Sequence, residues 1–149
     1  VVASVTGGAT RAESVQAALA EVPDDAVVVL VHDAARPLLD DAVVERVLAP
    51  LSEGWDGVVP ALPLADTVKR VEGDAVVETV DRTGLVSVQT PQAFLLPTLR
   101  AAYAGDVAGA TDCASLVEAQ GGRIKVVEGD RRLVKVTTQA DLELVTSWL

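Results

Sequence analysis

Apolar residues fall along the chain in short continuous runs, separated by stretches where they recur at helical spacing. Val1–Val5 is an apolar run ending at Thr6-Gly7-Gly8 and reads as a strand. From Arg11 to Leu19 the apolar positions follow a helix and Ser14 to Leu19 contains good helix formers, until Pro23-Asp24-Asp25 breaks it. Residues 26–31, Ala-Val-Val-Val-Leu-Val, form the strongest strand signal, apolar on both faces as a central parallel strand is. That run stops at His32-Asp33-Ala34-Ala35-Arg36-Pro37. Asp40 or Asp41 caps a predicted helix reaching about Leu51, with Gly54 after it. Gly57–Ala61 is a second buried strand. Thr67–Val71 and Val76–Val80 flank the turn sequence Glu72-Gly73-Asp74-Ala75, which predicts a hairpin. Its charged, amphipathic strands suit an arm, over 64–84, that projects from the body.

Leu85–Val88 is a short strand before the polar loop Thr90-Pro91-Gln92, and Leu95–Tyr103 is helical. Thr111 or Asp112 caps a helix through Ala119 that Gly121-Gly122 ends. Arg123–Val127 and Val134–Val136 read as strands, and Asp141–Leu149 as a closing helix capped by Thr138 or Gln139. Strands alternating with helices predict one α/β domain over 1–149, with right-handed crossovers and a mixed, mostly parallel sheet.

Composition narrows this picture. Half of the residues are apolar, nearly all of them Val, Ala and Leu, which suits a buried sheet covered by helices. The formal charge is −10 with no basic run, so a nucleic-acid partner is not expected, because such binding neutralises phosphates with Lys and Arg. The few cations become informative instead. A single cysteine, Cys113, precludes an internal disulfide and favours a reducing compartment. No apolar run reaches the length of a membrane span and no leader is visible, so a cytoplasmic protein that does not enter the membrane is expected. With no methionine and an opening already read as strand, the sequence is expected to be part of a longer protein.

Ligands of open α/β sheets collect at the carboxyl ends of strands, and the polar clusters fall there. Thr6 to Arg11 joins a strand to a helix N-terminus through paired glycines, as an anion-binding turn or simply a tight connection. His32 to Pro37 brings a carboxylate, two small residues and a guanidinium into one loop. Asp33 there could bind ribose hydroxyls or a metal and Arg36 a phosphate, or the two could pair with each other. His32 is the only histidine, which excludes a multi-histidine metal site or a histidine-based triad beyond it, and its position suits a structural role. Cys113 reads as a small buried apolar residue. Asp66-Thr67-Val68-Lys69 and Asp81-Arg82 come together if the hairpin forms, where cross-strand ion pairs are the plain alternative. Lys135 interrupts an apolar segment, either snorkelling or serving as a fixed cation.

Six segments together resemble the 2-C-methyl-D-erythritol 4-phosphate cytidylyltransferases: 7–15, 31–37, 66–69, 89–94, 111–118 and 135–142. The resemblance covers essentially the whole chain. It implies a Rossmann-like nucleotidyltransferase fold and a homodimer formed through the β-arm. It also implies transfer of a cytidylyl group from CTP to a polyol phosphate with Mg²⁺, the metal ligands being unassigned. Gly8, Ser14 and Ala34 would bind the nucleotide, Ala9 standing where relatives often carry an acid. Asp33, Arg36, Thr67 and Thr90 would bind substrate, Thr67 from the neighbouring subunit. Arg82, also in trans, and Lys135 would position the attacking phosphate as the catalytic pair. Because that nucleophile is ionised at neutral pH, no histidine base is required. The family's Gly-rich phosphate loop is expected upstream of Val1, so the chain alone is expected to be inactive or nearly so. Two departures stand out: Cys113 replaces a usual acid, and Leu133-Val134 replaces a usual polar pair before the lysine. A ribitol 5-phosphate cytidylyltransferase, or a relative that has lost catalysis, are the alternatives.

Overall fold

The strand that organises the sheet is the Gly57–Pro63 run, and everything that shapes the polar loops is hydrogen-bonded to it or one strand away. A computed structural model describes residues 3–149. In chain order the elements are α1 (Arg11–Leu19), β1 (Val28–Val31), α2 (Asp41–Leu48), β2 (Gly57–Pro63), β3 (Val68–Glu72), β4 (Ala75–Val80), β5 (Val86–Val88), β6 (Gln92–Leu95), α3 (Leu96–Tyr103), α4 (Cys113–Ala119), β7 (Ile124–Glu128) and α5 (Gln139–Thr146). The main sheet runs β1-β6-β2-β5, with β7 on the other side of β2. Among the described residues only β2–β7 is parallel; β1–β6, β2–β6 and β2–β5 are antiparallel. Strands β3 and β4 form a separate hairpin.

The helix starts follow local chemistry. Thr10 caps α1 and Thr138 caps α5, each in a reciprocal capping box, with Glu13 and Asp141 respectively. Asp40 caps α2 through the Ala42 amide. After α2 the chain tightens into a 3₁₀ turn, Ala49–Glu53, and stops at Gly54, whose φ of 90° a residue with a Cβ rarely adopts. Phe94, Leu96, Leu99 and Val117 are fully buried where α3 and α4 pack on the sheet. Each such side chain contributes roughly 1.5–3 kcal/mol by leaving water. Gly57 is required beside them, since a Cβ there would lie 2.5 Å from the Phe94 ring.

Four expectations change. Residues 3–5 are irregular rather than strand, and Val1 and Val2 lie outside the described residues. The 26–31 run yields a strand only over 28–31, at the end of the sheet order and antiparallel to β6. A run apolar on both faces reports burial and carries no information on strand direction, and here Val27 remains 71% exposed. Strand β6 stands where the sequence suggests only the end of a loop, because its four residues lie between a proline and a helix-forming run. The parallel share of the sheet is accordingly smaller among the described residues than expected. Finally, 134–136 is not a strand; its backbone is held by Val136 N–H donating to the Ala35 carbonyl at 2.8 Å, which lays this segment against the β1 loop.

Candidate functional site

Asp33 leaves the carboxyl end of β1 and becomes the centre of a charge cluster. Arg11, the first residue of α1, donates to Asp33 Oδ1 from Nε and Nη2, both at 3.0 Å. Lys135 Nζ lies 3.0 Å from Asp33 Oδ2. The carboxylate is thus held between two cations on segments that sequence separates widely, and its side chain is only 15% exposed. Burial pushes the Asp33 carboxyl upward, but hydrogen bonds from Lys135 and Arg11 outweigh it and keep the group below its ordinary value. Burial likewise works against the Arg11 charge, and its contacts with Cys113 and Asp33 more than restore it.

The Asp33–Arg36 side-chain pair considered from sequence does not form. Arg36 Nη1 donates to the Leu133 carbonyl at 2.6 Å, and its buried Nε has no partner among the described residues. Arg36 still belongs to the cluster: a cavity of about 320 Å³ is lined by Arg11, Asp33, Arg36, Val88, Gln89, Thr90, Gln92, Thr111, Asp112 and Lys135. The Thr90 hydroxyl accepts the Asp33 amide at 3.0 Å and contacts His32 Nδ1 at 3.1 Å. Gln92, fully buried at the start of β6, donates to Asp112 Oδ2 at 2.9 Å and accepts from the Ala114 amide. The N-cap of α4 is thereby tied to the sheet beside the cluster.

A second, more apolar cavity of about 450 Å³ lies between α1 and β1; Arg11 and Asp33 line it as well, joined there by Ala34. Ser14 faces it; its hydroxyl accepts the Gly8 amide at 3.1 Å and donates to the Thr10 carbonyl at 3.0 Å, closing the glycine turn. The structure therefore brings Asp33, Arg36, Thr90 and Lys135 into one cavity, and Ser14 and Ala34 into its neighbour with Gly8 at the turn. It does not bring Thr67 or Arg82 into either. Arg82 Nη1 donates to the carbonyls of Leu64 (2.9 Å), Ala65 and Asp66 (3.1 Å) of its own chain, tying the base of the arm. The arm's cross-strand ion pair is Arg70–Glu78, at 2.7 Å.

Arg11, Gln92, Thr111 and Asp112 lie in segments that the sequence singles out, but it assigns none of them an individual role in the site. A signal for Arg11 is present: with Ser14, Val15 and Ala18 it shares one helix face at spacings of three, four and seven. Nothing comparable marks Gln92, whose strand has no signature of its own. Cys113 is fully buried, 3.2 Å from the Tyr103 hydroxyl and 3.7 Å from Arg11 Nη1, and burial raises its thiol above the ordinary value. It packs as a small core residue whose sulfur also accepts from Arg11, while the salt bridge of Arg11 is to Asp33.

Among the described residues no three His, Cys, Asp or Glu side chains group as a metal site. Both oxygens of Asp33 are occupied by Arg11 and Lys135, and both of Asp112 by Ser115 N–H and Gln92. The residues present thus do not fit a metal held by the protein alone.

The profile of one protein family, 2-C-methyl-D-erythritol 4-phosphate cytidylyltransferase (IspD), matches residues 1–149. A Nocardia farcinica protein of that description is 51% identical over 150 residues, covering 100% of this chain and 64% of its own length. One from Frankia casuarinae is 49% identical over 146 residues, covering 97% of this chain and 55% of its own. The crystal structure of the enzyme of that name from Thermus thermophilus superposes with a TM-score of 0.86 at 37% identity, covering 97% of this chain and 71% of that one. The chain spans 55–66% of the length of the first curated relatives it matches.

Proposed function

The chain belongs to the 2-C-methyl-D-erythritol 4-phosphate cytidylyltransferase family, and from that premise we propose that the protein carrying it transfers a cytidylyl group from CTP to methylerythritol phosphate, releasing pyrophosphate. The observation that carries this reading is the cavity lined by three cations, Arg11, Arg36 and Lys135, in which Arg11 and Lys135 hold the Asp33 carboxylate. Joining two phosphorylated molecules requires bringing their negative charges into contact, and fixed cations in a partly enclosed site supply that positioning and neutralisation. A phosphate oxygen of the polyol phosphate attacks the α-phosphorus of CTP, a P–O bond to it forms, and the bond to the pyrophosphate leaving group breaks. The nucleophile arrives ionised, so no proton need be removed.

In this reading Lys135 and Arg36 hold the incoming phosphate, while Asp33 fixes Lys135 and accepts from ligand hydroxyls. Gly8, Ser14 and Ala34 line the nucleotide side. Magnesium would supply charge neutralisation on the substrate phosphates and would be carried by them rather than by Asp33 or Asp112, whose oxygens are engaged by protein donors. The arm supports a homodimer. A two-stranded hairpin is marginal alone, and on this one Val71 and Val76 are 58% and 59% exposed. Thr67 and Arg82 then act in a neighbouring subunit's site, once Arg82 exchanges its carbonyl partners for substrate. No helix among the described residues is long and apolar enough to cross a membrane, and a cytoplasmic enzyme fits that. The test is pyrophosphate release by the natural full-length protein with CTP and either methylerythritol phosphate or ribitol 5-phosphate. The former is expected to be the better substrate; preference for ribitol 5-phosphate would overturn the assignment.

A further inference from the structure

The only histidine of the chain has hydrogen-bond partners that leave it a single neutral arrangement. His32 Nε2 lies 2.9 Å from the Arg36 carbonyl oxygen, which only accepts, so Nε2 carries a proton. The Asp33 amide, which only donates, reaches Thr90 Oγ1 at 3.0 Å, so one Thr90 lone pair is occupied. The remaining contact, Thr90 Oγ1 to His32 Nδ1 at 3.1 Å, joins two groups that can each take either role. In the neutral ring Nδ1 is bare, and the hydroxyl gives it its one proton. Thr90 is then left with one lone pair and nothing to donate, although it lines the cationic cavity.

We propose that His32 is a positioning residue that fixes the Thr90 hydroxyl as an acceptor, so that Thr90 recognises a hydroxyl of the polyol and not its phosphate. This rests on the function proposed above and deepens it by dividing the cavity. An ionised phosphate only accepts hydrogen bonds and is matched by Arg36 and Lys135. A polyol hydroxyl can donate, and the Thr90 lone pair is matched to that. An Asp33 amide bond on the same hydroxyl links this acceptor to the carboxylate that holds the two cations.

Glutamine has one amide donor and one carbonyl acceptor, so His32→Gln can reproduce both roles of the neutral ring without a charge, whereas His32→Leu can reproduce neither. Calorimetric titration of the natural full-length protein with methylerythritol phosphate, and separately with inorganic phosphate, compares them. His32→Leu is expected to weaken methylerythritol phosphate binding about fivefold to tenfold, the scale of one neutral hydrogen bond, and to leave inorganic phosphate binding unchanged. His32→Gln is expected to bind as the wild type does. In a Thr90→Val background the effect of adding His32→Leu is expected to vanish. Equal loss for both ligands, failure of glutamine to rescue, or persistence of the histidine effect without the Thr90 hydroxyl would each overturn the proposal. Nitrogen-15 spectra of the ring, assigned by their loss in His32→Gln, test the same arrangement without any ligand. A protonated Nε2 with a bare Nδ1 that shifts in Thr90→Val is expected, and a protonated Nδ1 would contradict it. Absence of methylerythritol phosphate binding in the wild type would refute the proposed function while those spectra still decide the tautomer.

Discussion

Replacing Asp33 by asparagine removes one charge and little else, which makes it the sharpest probe of the cluster. The side chain keeps its size and one acceptor oxygen, but the ionic contacts to Arg11 and Lys135, all at 3.0 Å, lose their charge. A charged hydrogen bond contributes about 1.5–3 kcal/mol, and breaking a fully buried pair costs about 3–5 kcal/mol. Arg11 and Lys135 side chains are 30% and 45% exposed, so solvent screens both contacts and the sum falls well short of the buried limit. We expect a loss of about 2 kcal/mol, a fall in Tm of roughly 4–8 °C for a domain of this size. The dependence on pH has a definite sign. Because the folded-state carboxyl is held below its ordinary value, its stabilisation is complete above that value and is lost as pH falls through the folded one. Thermal unfolding of wild type and Asp33→Asn from pH 7 to pH 3 should therefore show a constant gap down to about pH 4 and convergence below. Inorganic phosphate should raise the Tm of the variant more than that of the wild type, because three cations are left with one fewer counter-charge. No gap at pH 7, or a gap undiminished at pH 3, would refute the clamp.

Three further outcomes follow from the fold. Val76→Glu, on the exposed face of the arm, should shift the protein toward monomers in sedimentation while leaving its far-ultraviolet circular dichroism unchanged; an unaltered dimer, or a monomeric wild type, would contradict the arm's proposed role. Gly57→Ala should cost about 1–3 kcal/mol in urea unfolding, since its methyl group would lie 2.5 Å from the Phe94 ring and 2.8 Å from Ile124. Asp141, whose carboxyl is held down to about 2 by hydrogen bonds from Thr137 and Thr138, caps α5 from pH 4 upward. Amide exchange in 142–146, corrected for intrinsic rates, should then accelerate in Asp141→Asn at pH 6 and in the wild type as pH falls toward 2; equal protection in the variant and wild type at pH 6 would count against the cap.

The helices are the most legible part of the sequence, because caps and spacing are local. The predicted 11–19 helix matches α1 to the residue, and Asp112 and Thr138 are among the caps that the sequence points to. Strand partners are not legible: β1 has the composition of a central parallel strand yet pairs with a four-residue antiparallel strand hidden between Pro91 and α3. The same distinction holds at the site. Asp33 and Arg36 share one loop and can be read together, but the Arg11 and Lys135 partners of Asp33 are set by how α1 and the 134–136 segment dock. Sequence leaves a pair between Asp33 and Arg36, three residues apart, as one of two readings; the fold instead aims the Arg36 guanidinium at the Leu133 carbonyl. Arg82 shows the complementary case, where an arm residue implied as substrate-binding is engaged by the carbonyls at its own hairpin base.

The central claim is that the cavity around Asp33 grips a polyol phosphate for attack on CTP, and Lys135→Ala in the natural full-length protein tests it most directly. Steady-state pyrophosphate release should show kcat/KM for methylerythritol phosphate falling at least about thirtyfold, the scale of about 2 kcal/mol for one charged contact. The KM for CTP should stay close to that of the wild type. Unchanged turnover with methylerythritol phosphate, or a defect confined to CTP, would contradict the account.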